Sequence, residues 1–496
     1  VTRSLDRAVM EIVQDPQRFS RQAGHVELRP YQVPVIEAIA DSIRRKRGLS
    51  FVVIFSRQSG KNETQLSLYS YLLVLFQKLG GDIIHVEPTY KPQTQTSMAR
   101  LEARLSANIL TRKRWRKRFG YIYQVNLARV VHLSGDESAN VVGGTAGLLL
   151  SINEAQDIGL LKYDKDFGPM AASTNATRVF WGTRWTNDTL LERELKSAQQ
   201  AQERDGIRRV FIVDADEVGA VVPAYAEFVR SEVAKRGRQH PLIKTQFYCE
   251  TIEAQAGMFP PARIMLMRGD HPRQEIPTHG KTYALLVDVG GQDEMSLNPN
   301  ELDNPARDST AATIVEISPE SITLLQKPTY RTVNRRKWTG QKHVIVFQHI
   351  VAMMELWHFQ YMVIDATGVG EGLWSMLDAR FGERAIPFKF TEQSKSELGY
   401  GYLAVVETGR YREYSPMDDT FLEQCEKCRS EARVGASRSL KWGVPDTARR
   451  ADGQYLHDDE LLSAALCAQL DTLEWAIQTK SVQLPAPDLL ADAKGY

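Results

Sequence analysis

Asp288 closes the apolar run YALLVD just before Val-Gly-Gly. Asp365 closes YMVID before Ala-Thr-Gly-Val-Gly, and Asp458 and Asp459 open the apolar-periodic segment DDELLSAALCA. A carboxylate at the end of an apolar run is fixed where the chain leaves the core. Three such carboxylates, if they converge, make an oxygen-lined pocket for hard divalent cations, Mg²⁺ or Mn²⁺. Two ions held that way activate water and stabilise the leaving oxygen in phosphodiester cleavage. Simpler readings exist for each position alone. Carboxylates in a first helical turn suit the helix dipole, and strand-end Asp residues start turns. Neither explains all three in this order. His457 is read either as orienting a ligand or phosphate, or as an exposed cap; Asp308 is read as an auxiliary site residue or, preferably, as a turn residue.

The N-terminal half carries a second constellation. FVVIF, SRQSGKNE and TQLSLYSYLL read as strand, loop and helix. That order aims backbone N–H groups and a helix N-terminus at phosphates. Gln58, Ser59, Gly60, Lys61, Asn62 and Glu63 form the loop, and Lys61 is the residue to reach the β- and γ-phosphates. The standard phosphate-loop pattern is broken twice. Phe55 stands at its first Gly and Asn62 at its Ser/Thr, while Thr64 offers a hydroxyl two residues late. Downstream, LLLSINEAQ is an apolar strand ending in Asn153-Glu154, where phosphate-loop ATPases carry Asp-Glu. Glu154 keeps the general-base role. Neutral Asn153 predicts weakened Mg²⁺ affinity.

The elements that must hold these groups follow from composition and period. At 496 residues the chain exceeds one ordinary domain. With 43% hydrophobic and 25% charged residues it is a globular composition, and the net charge of +1 neither argues for nucleic acid nor against it. Four cysteines are too few for a disulfide framework, so a reducing compartment is expected; Cys425 and Cys428 read as ordinary cysteines, since no second CxxC accompanies them. No apolar run reaches about 18 residues, so no transmembrane helix is expected. The charged start lacks a secretory signal, and Val1 in place of an initiator Met suggests a trimmed or partial start.

Strands at FVVIF, DIIHVEP, RVVHLSG, GLLLSINEAQD and TRVFWGTRW alternate with helical stretches, one of them from Gln93 to Arg118. This predicts an α/β fold with a parallel sheet. From residue 279 the order changes. KTYALLVDVG, STAATIVEI and SITLLQKP are three successive strands, HVIVFQHIVAMMELW is a helix, and YMVIDATG a strand. That is the opening order of a ribonuclease H-like domain. The expected organisation is an ATPase domain over 1–255 with a lid or linker subdomain at about 186–255. A linker over 256–278, a nuclease domain over 279–480 and a loosely ordered tail over 481–496 follow. The polar insertion QDEMSLNPNELDNPAR lies between the first two nuclease strands.

Together RQSGKNET, NEAQ, WGTRW and HDD resemble the large terminase subunit of tailed bacteriophages, from about Leu28 to Leu470. The resemblance implies a P-loop ATPase domain followed by a ribonuclease H-like nuclease. It implies that Arg57 senses the γ-phosphate, that Gln32 contacts adenine, and that Gly182-Thr183 is the coupling motif. Asp288, Asp365 and one of the HDD pair become metal ligands, with Asp459 chosen and Asp458 the alternative. Asn153 departs from the family's Asp. ATP and Mg²⁺ are the implied cofactors. The implied partners are double-stranded DNA, a small terminase subunit and the portal of the procapsid. A ring, expected to be a pentamer on the portal, would work in the host bacterial cytoplasm.

RKRWRKR (112–118) and RTVNRRKWTGQK are two basic clusters suited to backbone phosphates; for the first, a solvated helix face explains the pattern equally well. The leading reading is a DNA-packaging motor that also cuts concatemers. One alternative is a metal-dependent nuclease whose ATP site binds but barely hydrolyses. Another is a non-catalytic DNA-binding scaffold.

Overall fold

The computed structural model describes residues 11–139, 141, 144–253, 255–292, 308–318, 327–433, 438–450, 453–473 and 475. The chain separates into two units. The first is Val1–Met258 with Lys395–Tyr400 and Arg429–Gly443; the second is Phe259–Ser394 with Gly401–Cys428 and Val444–Tyr496.

In the first unit the continuously apolar runs become the middle of an eight-stranded sheet. Its strands are β1 (Ser50–Phe55), β2 (Gly81–Glu87), β3 (Trp115–Arg118), β4 (Ile122–Val125), β5 (Ala128–Ser134), β6 (Leu149–Ile152), β7 (Thr177–Gly182) and β8 (Val210–Val213). Their order is β3-β4-β5-β2-β6-β7-β1-β8. From β5 to β8 all pairs are parallel, and only β3 and β4 join antiparallel at one edge. Parallel strands are covered on both faces, which is why β1 and β6 lack a polar alternation. The helix Lys61–Leu75 is buried from Thr64 to Val74 and shows no apolar stripe. Its buried hydroxyls are partly satisfied within the helix: Ser70 Oγ donates to the Leu66 carbonyl at 2.8 Å.

The helix expected from Gln93 to Arg118 is shorter. It spans Gln95–Ala107, preceded by a turn at Tyr90–Thr94. Asn108 leaves helical geometry with ψ 126°, and the basic run 112–118 ends in edge strand β3. Trp115 lies beside Tyr123 of β4, ring centroids 6.0 Å apart, and Lys117 Nζ pairs with Glu102 at 3.2 Å. A small antiparallel sheet completes this unit, with β9 (Gln255–Gly257) and the later hairpin β16 (Arg429–Ala432) and β17 (Leu440–Gly443) in the order β17-β16-β9.

The second unit is built on β10 (Thr282–Asp288), β11 (Ser309–Ser318), β12 (Thr329–Thr339), β13 (Tyr361–Asp365), β14 (Ala385–Phe388) and β15 (Tyr411–Arg412), in the order β14-β13-β10-β11-β12-β15. β10, β11 and β12 are antiparallel neighbours, and β13 lies parallel to β10. The third strand is therefore Thr329–Thr339. Of the expected SITLLQKP, residues 321–326 lie outside the described ones, as do 293–307 of the insertion and the tail. The helix His343–Trp357 has the expected extent. β12 carries Arg335 at its middle, buried and paired with Glu413 at 2.5 and 2.9 Å. That arginine belongs to the interior, so the second basic cluster is not a uniformly exposed one. Cys425 and Cys428 are buried at the end of the helix Asp419–Lys427. Among the described residues no helix is long and apolar enough to cross a membrane.

Candidate functional site

In the first unit β1 delivers the loop 56–60 onto the start of the helix Lys61–Leu75. Gly60 takes φ 99°, and a Cβ there would stand 2.7 Å from Gln32 Nε2. The loop is braced from outside. Arg29 Nη1 and Tyr31 OH donate to the Ser59 carbonyl at 3.0 and 2.7 Å, and Gln32 Nε2 donates to the Gly60 carbonyl at 2.9 Å. Arg57 Nη1 donates to Gln246 Oε1 at 2.7 Å, and Gln58 holds φ 61°. Thr64 Oγ1 donates back to the Gly60 carbonyl at 3.0 Å, so that hydroxyl is occupied within the helix. Glu63 pairs with Arg104 on the exposed side.

Glu154 sits just beyond β6 with φ 44° and ψ 52°, a left-handed conformation that side chains rarely adopt. Lys61 Nζ donates to its Oε1 at 2.5 Å. Burial pushes the Glu154 carboxyl up, but Lys61, Gln156 and Arg438 outweigh it and hold it below the usual range. Asn153 is buried, accepts from Gln65 Nε2 at 2.9 Å and donates to Glu87 Oε2 at 2.8 Å. Asn62, Gln65, Glu87, Asn153 and Glu154 share the lining of a cavity of about 180 Å³. A left-handed glycine, a lysine at a helix start and this cavity beside them suit a phosphate chain.

Besides Glu87, sequence reasoning missed Gln156 and Arg438 at this site. Gln156 Nε2 donates to Glu154 Oε2 at 2.7 Å, while its Oε1 accepts from the Thr183 backbone N–H at 3.2 Å. Arg438 Nη2 donates to Thr183 Oγ1 at 2.7 Å, and its guanidinium lies 5.4 Å from the Trp185 ring. A continuous chain of polar contacts thus runs from Lys61 through Glu154, Gln156 and Thr183 to Arg438. The Gln156 signal was local, two residues after Glu154. Arg438 had none, because it lies 255 positions from its partner.

In the second unit the acidic residues lie at one end of the sheet. β10 and β13 run parallel with Val287 opposite Ile364, so Asp288 and Asp365 follow in step at neighbouring strand ends. Gly290 allows the next turn to pass close, since a Cβ there would lie 2.5 Å from the Ser309 carbonyl carbon. The helix Asp459–Ala465 is buried along its whole length. Ser463 Oγ donates to the Leu286 carbonyl at 2.8 Å and meets Thr313 Oγ1 at 2.9 Å, which pins the helix across β10 and β11. That docking brings Asp459 to the strand ends.

Burial raises Asp288 well above the usual carboxylate range, and the charges of Asp365, Asp459, Asp458 and Asp308 add to it. Burial also raises Asp365, against hydrogen bonds from Thr367 and the Val289 backbone. Asp459 is 2% exposed and pushed up to about 6 by burial, with Lys337 opposing and Asp308 adding. Its Oδ2 lies 3.2 Å from both Lys337 Nζ and the Ser309 backbone N–H. Asp458 Oδ2 instead accepts from the Val444 backbone N–H at 3.4 Å. His457 Nδ1 pairs with Asp308 at 2.8 Å. Among the described residues, no three His, Cys, Asp or Glu side chains stand close enough together to hold one ion. The donor type nonetheless suits a hard cation: these are buried carboxylates, and the charges of the others bear on Asp288, a burden that a divalent ion relieves.

Residues 307–448 match the model of the terminase RNase H-like domain family. This stretch of the chain resembles the terminase RNase H-like domain. It includes Asp365 and Arg438; Asp288 and Asp459 flank it. A curated relative, the probable terminase ATPase subunit of Haemophilus phage HP1, is 29% identical over 107 residues, 22% of this chain. The match spans only 17% of that relative's length. Among solved structures, the large terminase of the thermophilic bacteriophage D6E aligns with TM-score 0.46 at 10% identity, covering 90% of this chain and 99% of that one. The HK97 large terminase aligns with TM-score 0.40 at 12% identity over 92% and 99%. The magnesium-bound large terminase nuclease of phage G20c aligns with TM-score 0.32 at 18% identity over 43% and 96%. The resemblance to large terminases read from the sequence is borne out, as is an α/β chain ending in a terminase RNase H-like domain.

Proposed function

We propose that the chain is the large subunit of a phage DNA-packaging motor, hydrolysing ATP to move double-stranded DNA into a procapsid and cutting concatemers. The observation that carries this is the acidic group at the β10 and β13 ends, on the same chain as a Lys61–Glu154 pair at the start of a buried helix. Lys61 and the loop backbone 58–62 bind the phosphates. Glu154, held ionised, takes the proton of the attacking water. Gln156 fixes its carboxylate, and Thr183 stands next in the line toward Arg438. Asp288, Asp365 and Asp459 hold the nuclease cations, with Asp458 beside them. When bound, those cations supply an activated water and stabilise the leaving oxygen. The exposed arginines and lysines of 112–118 offer sequence-independent contacts to DNA phosphates. A small terminase subunit, a portal and a homo-oligomeric ring in the host cytoplasm complete the proposal.

Asn153 favours a second reading, a nuclease whose ATP site binds nucleotide and turns it over weakly. DNA-stimulated ATP hydrolysis by this chain and by Asn153→Asp separates the two: equal, robust rates reject the weak ATPase. Mg²⁺- or Mn²⁺-dependent plasmid cleavage, lost in Asp365→Ala, rejects a non-catalytic scaffold. Cleavage that survives Asp365→Ala removes the nuclease assignment.

A further inference from the structure

β2 ends in a carboxylate for which the roles above have no use. Glu87 is its last residue and is 5% exposed. β2 runs parallel to β6 with Val86 opposite Ile152, so Glu87 and Asn153 leave the sheet side by side. Gln65 donates to the Asn153 oxygen, which turns the Asn153 amide nitrogen toward Glu87 Oε2 at 2.8 Å. Glu87 Oε1 lies 3.1 Å from His85 Nε2. His85 itself contacts Tyr69 OH at 2.8 Å and Ser97 Oγ at 3.0 Å. Among the described residues, His85 is the one ionisable side chain within ion-pair distance of Glu87. A buried carboxylate with no lysine or arginine against it is costly unless a cation or strong donors face it. This one lines the same cavity as Asn62, Asn153 and Glu154.

We propose that Glu87 supplies the negative charge on the Mg²⁺ side of the ATP site that position 153 lacks. The inference rests on the ATP reading of Lys61 and Glu154. Asn153 orients the carboxylate through its amide, and Glu87 acts as a positioning residue for the water shell of the cation. The acid stands at the end of β2 and its hydrogen-bonding amide just beyond β6. Asn153 is then no sign of a failing ATPase.

The test is the affinity of the full chain for a fluorescent ATP analogue, in EDTA and in MgCl₂, for wild type, Glu87→Gln, Asn153→Asp and the double variant. Affinity in EDTA is the reference for each variant, and the Mg²⁺ gain is read as the ratio of the two affinities. Mg²⁺ tightens binding by the wild type, and Glu87→Gln loses about tenfold of that gain, the scale of one charge near a divalent ion. Asn153→Asp restores it in the Glu87→Gln background. In the wild-type background Asn153→Asp adds less than about threefold, because the charge is already present. A Glu87→Gln variant that keeps the full Mg²⁺ gain overturns the proposal. So does a gain of about tenfold from Asn153→Asp alone, an arm that does not depend on how Glu87→Gln folds. Wild type that binds no nucleotide in either buffer removes the ATP reading itself, and the Glu87 assignment with it.

Discussion

Replacing Asp459 by Asn should stabilise the metal-free protein while abolishing its response to divalent cations. Asp459 is 2% exposed and its carboxyl is pushed up to about 6, chiefly by burial. Relative to an ordinary aspartate this is about 3 kcal/mol of burden on the ionised form. Its sign follows from linkage. A group whose folded-state pKa is raised contributes stability that is fully present below about pH 4 and is lost as pH rises through about 6. At pH 8 wild type has lost that contribution; an asparagine never carried the charge. Its amide oxygen can still accept from the Ser309 backbone N–H, but the Lys337 pair is given up, so the net gain is about 1–3 kcal/mol. For a unit of this size that is a rise of roughly 2–10 °C in the melting temperature. The assay is calorimetry of the full chain in EDTA at pH 8 and pH 5. The variant should melt higher at pH 8, and the difference should shrink by pH 5. Added Mn²⁺ should raise wild type and leave the variant unmoved, by mass action on the folded state. A variant that melts below wild type at pH 8 would refute the view that Asp459 is an electrostatic liability held for binding cations.

Glu154→Gln should lower ATP hydrolysis by about 10²- to 10⁴-fold with nucleotide affinity kept, read by steady-state turnover and equilibrium binding. Arg438→Ala should lower turnover without weakening nucleotide binding, and Arg438→Lys should rescue it only in part because a lysine cannot reach Thr183 with the same fork; equal loss of affinity would assign Arg438 to the fold alone. Arg335→Met leaves Glu413 buried and uncompensated. It should destabilise the chain by about 3–5 kcal/mol in chemical denaturation, and the double variant with Glu413→Gln should recover much of the loss.

Runs apolar on both faces, such as β1, β6, β10 and β13, were legible because parallel strands carry no competing pattern. The helix His343–Trp357 was legible from its length and composition. β3 was not, because a basic run has no apolar period of its own, and its contacts to Tyr123 and Glu102 come from elsewhere in the chain. β12 was not, because its Arg335 and Asn334 look like surface residues until Glu413 and Gln274 are placed against them. Of the sites, the strand-end aspartates and the Gly60-Lys61 loop were readable from local order. Glu87 carried the same signal as Asp288 and Asp365, an acid closing a buried strand. Its link to position 153 was not legible, because it arises only when β2 pairs with β6. The approach of Arg438 to Thr183 was invisible, since it depends on how Arg429–Gly443 joins the first unit.

The central claim is that Asp288, Asp365 and Asp459 serve one metal centre. An anomalous difference map from crystals soaked in Mn²⁺ tests it most directly. The account predicts strong density at the Asp288 and Asp365 strand ends and loss of the Asp459–Lys337 pair. Manganese bound elsewhere, with Asp459 still paired to Lys337 and nothing between the strand ends, would contradict it.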